Sequence, residues 1–360
     1  MKILFLSPLP PPNGGIAHWS TIVSNYGNKN GDSIKIIDTS PKIRAVDGRT
    51  KVQRVVKGIK SISVIYCQLI KSLREDAPDV VHICTSGSLA FYRDYVMLKY
   101  LKRKGIKSVY HLHFGRIPYL KSQNNKEWKL FLKNAHMTGA VVAMNKFTYE
   151  ALNGVIPKEK LFNVPNPIHV EKLPEYVEYE DHNKHVLYLG WFQKNKGSEE
   201  LLRAWKEIKN EVSDWKLRVV GPVNWEYKKQ LDAEGLCDEV DFVGEVEHSQ
   251  AMEIMKKAGL FVLPSHSEGF PNVILEAMTL KVPIVATKVG AIPEMLEESG
   301  MLVEPKNVKD LAYALKTIIK DEPFRKLSAD LAYKKVLSNY NLSLVYTLYL
   351  EIWKGLAYGK

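Results

Sequence analysis

Short apolar runs rich in β-branched residues recur along this chain, each followed by a stretch with helical spacing. That alternation limits the fold more than any other feature. Strands separated by helices pair in parallel, because a crossover connection returns the chain to run in the same direction. The first half predicts strands over residues 2–7, 33–37, 80–84, 108–113 and 140–143, with a short strand and turn in 161–167. After an aperiodic stretch rich in Pro, Glu and Tyr at 171–181, the rhythm restarts. Strands are expected at 185–190, 216–220, 240–243, 260–264, 283–287 and 301–303, and helices at 199–212, 224–234, 248–257, 272–280, 292–297 and 308–320. An amphipathic, aromatic-rich segment, 343–357, comes last. With 360 residues, this describes an α/β chain of two Rossmann-like domains, 1–167 and 168–342.

Several classes are excluded. No apolar run approaches the roughly 18 residues that span a bilayer, and the apolar start Met1-Lys2-Ile3-Leu4-Phe5-Leu6 is cut short by prolines from Pro8 to Pro12, unlike a signal peptide. Cys67, Cys84 and Cys237 match no metal or disulfide spacing, so a reducing cytoplasm is expected. The turn Ser7-Pro8-Leu9-Pro10-Pro11-Pro12-Asn13-Gly14-Gly15 is not a Gly-x-Gly-x-x-Gly fingerprint, which argues against a nicotinamide oxidoreductase.

Charge is uneven. Residues 1–170 hold 26 Lys+Arg against 10 Asp+Glu, a net of +16, whereas the rest of the chain is net −5. So basic a first half suggests an anionic partner: nucleic acid, an acidic membrane surface or a phosphate-bearing substrate. Nucleic acid is disfavoured, because the basic residues lack a recognisable reading motif. Between Lys51 and Leu73 apolar residues at helical spacing (Val52, Val55, Val56, Ile59, Ile62, Val64, Ile65, Leu69, Ile70) stand beside Lys51, Arg54, Lys57, Lys60 and Lys71. That is a basic amphipathic helix, suited to an anionic membrane interface or to a core with a solvated outer face.

The most specific stretch is Ser265-His266-Ser267-Glu268-Gly269-Phe270-Pro271-Asn272-Val273-Ile274-Leu275-Glu276-Ala277-Met278. It follows a buried strand, at the end where open parallel sheets bind ligands. Pro271 or Asn272 starts a helix, and the N–H groups of Asn272, Val273 and Ile274 would point at an anion. Glu268 before the helix and Glu276 one turn inside it can face one cleft, where carboxylates accept hydrogen bonds from sugar hydroxyls without a metal.

The Glu-x7-Glu spacing of Glu268 and Glu276 resembles the signature of the family-4 glycosyltransferases of the GT-B fold. The resemblance implies two Rossmann-like domains facing each other across a cleft, with the C-terminal helix, 343–360, crossing back to the first. It implies a retaining transfer from a nucleotide-diphosphate sugar, UDP by default, with no metal or other cofactor. The acceptor would be a glycan or a polyprenyl-diphosphate-linked molecule, and the setting bacterial surface polysaccharide assembly. By the same resemblance Glu268 contacts the donor sugar and Glu276 the ribose. Gly14 and Gly15 match the family's glycine loop near the donor phosphates. His113, or His111 on the same strand face, matches a histidine near the reacting sugar. Lys196 in Gly190-Trp191-Phe192-Gln193-Lys194-Asn195-Lys196-Gly197 matches the lysine that clamps the diphosphate. The family arginine is replaced by Trp191, leaving Lys194 or a residue of the other domain to fill that place. Asn166 falls in a matching Val-Pro-Asn turn, and the loop at Gly244 matches the cradle of the base; Phe270 lies within the signature itself. A nucleotide-sugar epimerase of the same architecture is the nearest alternative.

Overall fold

The computed structural model describes residues 1–11, 14–40, 51–178 and 182–359, excepting the side chains of 51–59. Pro12 and Asn13 of the proline-rich turn, Tyr179, Glu180 and Asp181 of the expected linker, and the side chains that open the basic helix lie outside the described residues. The chain divides into two compact units: Met1–Pro167 with Leu342–Lys360, and Ile168–Asn341.

The first unit contains β1 (Lys2–Ser7), β2 (Ser33–Asp38), β3 (Val80–Thr85), β4 (Ser108–Leu112), β5 (Ala140–Ala143) and β6 (Leu161–Asn163). They form one sheet in the order β2-β1-β3-β4-β5-β6, with every pairing parallel. Alternation along each strand sorts the core into two layers. Leu4, Leu6, Val81, Ile83, Tyr110 and Leu112 face one way, against Phe91, Leu98, Phe131 and the described part of the Lys51–Glu75 helix. Ile3, Phe5, Cys84 and Val109 face the other, where Trp19 of the Gly15–Lys29 helix meets Tyr349 and Trp353 of the Leu342–Tyr358 helix. Residues 342–358 thus help to build the first unit's core. In the Lys51–Glu75 helix Ile65 and Leu69 are buried while Lys60, Lys71 and Arg74 are exposed, so its described part is a core-packed helix with a solvated basic face.

The second unit contains β7 (Asn183–Leu189), β8 (Lys216–Val220), β9 (Val240–Gly244), β10 (Ala258–Leu263), β11 (Ile284–Thr287) and β12 (Met301–Val303). The order is β12-β11-β10-β7-β8-β9, again all parallel. From β7 the chain builds outward through β8 and β9, then returns to lay β10 on the other side of β7. The loops after β7 and β10 therefore part from each other at the sheet's switch point, the place where such sheets bind ligands.

In the second unit one described α-helix escaped the sequence reading. Glu322–Asn339 buries Arg325, Ser328, Ala329, Ala332 and Val336 while leaving Leu327, Leu331 and Leu337 exposed. Its inner face is small and polar, so the spacing of its large apolar residues does not mark the buried side. No described helix is long and apolar enough to cross a membrane.

Candidate functional site

In the second unit the loops after β7 and β10 are fastened to one another. Lys194–Lys196 forms a single 3-10 turn and Gly197 takes a left-handed φ of +71°, from which the Ser198–Ile208 helix starts. A Cβ on Gly197 would lie 2.0 Å from the carbonyl oxygen of Pro264, so only glycine lets the two loops approach this closely. The His266 N–H donates to the Asn195 carbonyl at 3.1 Å, and His266 Nε2 lies 2.9 Å from Glu200 Oε1. Across this junction Lys196 Nζ donates to Glu268 Oε1 at 2.7 Å, both side chains being mostly buried. The two residues singled out from separate motifs thus form one ion pair.

The 265–271 loop is also tied to the chain after β11. Thr287 Oγ1 donates to the Ser265 carbonyl at 2.6 Å, and the Ala291 N–H to the Gly269 carbonyl at 3.0 Å. Gly290 has a φ of +58°, and a Cβ there would stand 2.2 Å from the Glu268 carbonyl oxygen. Phe270 is buried and meets Tyr340 edge-on at 5.8 Å between ring centres. Pro271 caps the Asn272–Thr279 helix. Here the expectation needs one correction. The Ile274 N–H donates to the Pro271 carbonyl at 3.1 Å, because the first turn closes with three-residue spacing, and so it is not offered to an anion. Asn272 and Val273 stand at the helix start as expected.

Glu276, one turn in, lies 2.8 Å from Nε2 of His248, the first residue of the His248–Met255 helix. The hydrogen bond to this carboxylate raises the His248 pKa above its ordinary value. His248 was missed in the sequence, because nothing there links it to Glu276. Gly244 ends β9 with a φ of +84°, and its carbonyl accepts from the Gly221 N–H at 2.7 Å. Lys194 is exposed within the 3-10 turn. The side chain of Trp191 is exposed and its carbonyl accepts from the Tyr188 hydroxyl at 2.6 Å.

The first unit's candidates are different in kind. Gly14 caps the helix that follows β1 and Gly15 begins it. Gly14 has an extended backbone, and a Cβ there would meet nothing within 4 Å, so its own fold does not demand glycine. The expected strand through residue 113 stops at Leu112. His113 follows it, and its N–H donates to the Thr85 carbonyl at 2.9 Å. The rings of His111 and His113 share one side of the sheet, 3.9 Å apart between centres, and Trp19 stands edge-on to both. The Nε2 atoms of both histidines are buried without a hydrogen-bond partner. Burial pushes His113 down to about 3, and burial, followed by the neighbouring histidines, holds His111 well below the ordinary range. Both rings are neutral at neutral pH.

Behind them lies His82 of β3, buried and unnoticed in the sequence. Its Nε2 is 3.1 Å from His111 Nδ1, and Trp353 Nε1 donates to its Nδ1 at 3.1 Å. Ligand atoms of His82, Cys84 and His111 lie within 4.8 Å of one another, the spacing of a metal site. The donor set does not fit one. Both nitrogens of His82 are already engaged, and burial pushes the Cys84 thiol up to about 12, away from the thiolate a metal needs.

Comparison with known proteins agrees with this architecture. Residues 171–335 match the family described as "Glycosyl transferases group 1". An uncharacterized 41.2 kDa protein in the cps region of Klebsiella pneumoniae is 25% identical over 81% of this chain and 83% of its own length. A capsular polysaccharide biosynthesis glycosyltransferase of Staphylococcus aureus is 29% identical over 60% of this chain, a match spanning 57% of the relative. Among solved structures, Anabaena HepE in complex with UDP superposes with a TM-score of 0.76 at 18% identity, over 99% of this chain and 100% of HepE. It has also been solved with UDP-glucose. The chain thus has the two parallel six-stranded sheets of the GT-B fold, and its residues 171–335, with Glu268 and Glu276 among them, are similar to the group 1 glycosyltransferases.

Proposed function

We propose that this protein is a retaining glycosyltransferase that moves a sugar from a UDP-sugar to a glycan or polyprenyl-diphosphate-linked acceptor, in bacterial surface polysaccharide assembly. One observation carries this reading. The Lys196–Glu268 pair sits where the loops after β7 and β10 are joined, just before the start of the Asn272–Thr279 helix. A lysine, a helix start and two acids suit a sugar diphosphate: the cation and dipole take the phosphates, and the carboxylates take hydroxyls. When the diphosphate arrives, its oxygens compete with Glu268 for Lys196, and the carboxylate turns to the sugar.

In the reaction the bond between the anomeric carbon and the β-phosphate oxygen breaks. The acceptor hydroxyl bonds to that carbon on the same face, and its proton passes to the departing phosphate. Charge grows on the phosphate, so donors placed beforehand lower the barrier, each worth on the order of 3 kcal/mol. Lys196 and the amides at Asn272 and Val273 serve in this way, with Gly14, Gly15 and Lys194 as further phosphate contacts and no metal required. Glu276 holds the ribose, the Gly244 loop the base, and Phe270 keeps the signature loop in place. His113 and His111 are the first unit's residues assigned to the transferred sugar. Being neutral, they act by hydrogen bonding, not as acids. The relative from Staphylococcus aureus carries capsular polysaccharide biosynthesis in its name, which supports the setting, and HepE binds UDP, which supports the base. The basic first half, net +16 over residues 1–170, supports peripheral contact with the anionic inner face of a plasma membrane, and not with nucleic acid.

The test is a panel of nucleotide sugars, with UDP release followed with and without EDTA and the anomeric proton of the product read by NMR. Turnover of a UDP-sugar in EDTA with the donor's configuration kept is expected. Inversion, or interconversion of free sugars without transfer, overturns the reading. Flotation with liposomes containing anionic lipid tests the membrane contact, and equal recovery with neutral liposomes rejects it.

A further inference from the structure

The structure assigns Trp353 and His82 as positioning residues that fix the tautomer of His111, so that its Nε2 always carries a proton toward the ligand. An indole N–H donates and cannot accept. Trp353 Nε1 lies 3.1 Å from His82 Nδ1, so that nitrogen must present its lone pair. A neutral imidazole with a bare Nδ1 holds its proton on Nε2. His82 Nε2 then donates across 3.1 Å to His111 Nδ1. His111 Nδ1 is the acceptor, and the proton of His111 stands on Nε2, the atom left buried and unpartnered.

The surroundings exclude the opposite arrangement. Trp19 Nε1 donates elsewhere, to the Tyr349 hydroxyl at 3.1 Å, and is not available to reverse the order. Trp19, Phe5 and Trp353 pack around His82, with ring centres 5.1 to 5.8 Å from its own. His82 is itself fully buried beneath these rings. A buried N–H without an acceptor is destabilising. A fold that spends three interlocked rings on keeping such a donor suits a ligand oxygen arriving there. The same proton on His82 Nε2 removes the lone pair that a metal shared with His111 would need.

The inference rests on the glycosyltransferase reading only for the identity of that oxygen, a hydroxyl of the transferred sugar. The relay is tested separately. In the full chain carrying 15N-histidine, long-range proton–nitrogen NMR of the unliganded protein should show Nδ1 unprotonated and Nε2 protonated in both His82 and His111. Protonated Nδ1 in either residue overturns the relay, whatever the activity. Trp353→Phe keeps a ring and removes the donor, and both tautomers of His82 should then appear; an unchanged spectrum rejects the assignment.

A second pair reads the consequence. His82→Phe removes donor and acceptor alike, whereas His82→Gln keeps one of each on adjacent atoms. With UDP-glucose or whichever donor turns over, kcat should fall about tenfold in His82→Phe, and His82→Gln should recover most of that loss. Stabilisation by UDP should be the same in both, since the donor nucleotide is held elsewhere. Equal kcat in the two variants overturns the positioning role. If UDP stabilises no form of the protein, including the unsubstituted chain, the functional reading fails and the tautomer spectra still decide the relay.

Discussion

The two units share a plan, six parallel strands with a switch in their order, yet their strand ends carry opposite chemistry. The basic first unit ends in three neutral histidines among aromatic rings, His82 and His111 fully buried and His113 partly so. The second unit, from a half of the chain that is net negative, places a lysine and two carboxylates in partly buried pairs at its switch point. The charge of a unit's surface therefore says little about the charge of its site. What decides the site is the immediate shell: indole and imidazole faces strip charge from a histidine, and an opposed carboxylate keeps a lysine ionised.

Removing the carboxylate is the strongest way to break this contrast. Glu268→Gln should lower kcat about 100-fold or more while UDP still stabilises the protein, as expected when a group acts on the reacting sugar and not on the nucleotide. A loss below about threefold would place the chemistry elsewhere. Next come the glycines. Gly290→Ala sets a Cβ 2.2 Å from the Glu268 carbonyl at a left-handed φ, and about 1–3 kcal/mol of stability should go with it in urea unfolding. Gly14→Ala meets open space, and its urea midpoint should hardly move. Comparable losses in the two would show that the second unit's loops are not the more tightly fastened.

Acid separates the units further. The histidines at 82, 111 and 113 have folded pKa values pushed below the ordinary 6.5, that of His113 to about 3. Their contribution is complete above pH 6.5 and falls as pH drops toward the folded values, because the unfolded chain takes up protons first. The slope is about 1.4 kcal/mol per pH unit for each histidine. Urea midpoints at pH 7 and pH 5 should therefore diverge, and His113→Gln should reduce the divergence. A midpoint independent of pH in the unsubstituted chain would mean these rings are not buried neutral. His248 runs the other way. Its pKa is raised, so its pairing with Glu276 stabilises below the unfolded pKa and is lost as pH rises through the folded value. Because His248 is exposed, the effect is the smallest: His248→Ala should weaken UDP binding by no more than about fivefold at pH 6 and less at pH 8, by calorimetry.

The strand positions were legible because parallel strands buried on both faces are continuous apolar runs, and all twelve observed strands lie close to their expected places. The acids of the second unit were legible from their spacing, and Lys196 from its motif. His82, His248 and Gly290 were not. Each matters through a partner distant in sequence, Trp353, Glu276 and the Glu268 carbonyl, and no local pattern encodes such a pairing. The helix at Glu322–Asn339 was hidden for a different reason, since its buried face carries Ser328, Ala329 and Ala332 in place of large apolar groups.

Residues 342–358 have a consequence for the order in which the protein is made. Tyr349 and Trp353 fill the layer beneath β1 and β3, so residues 1–167 must wait for this later-made helix, while 168–341 emerges as an uninterrupted stretch. Of the two units, the one whose strands are made earlier completes its core later, its apolar sheet face uncovered through the interval, and a nascent chain halted near residue 341 would present that face to chaperones and proteases.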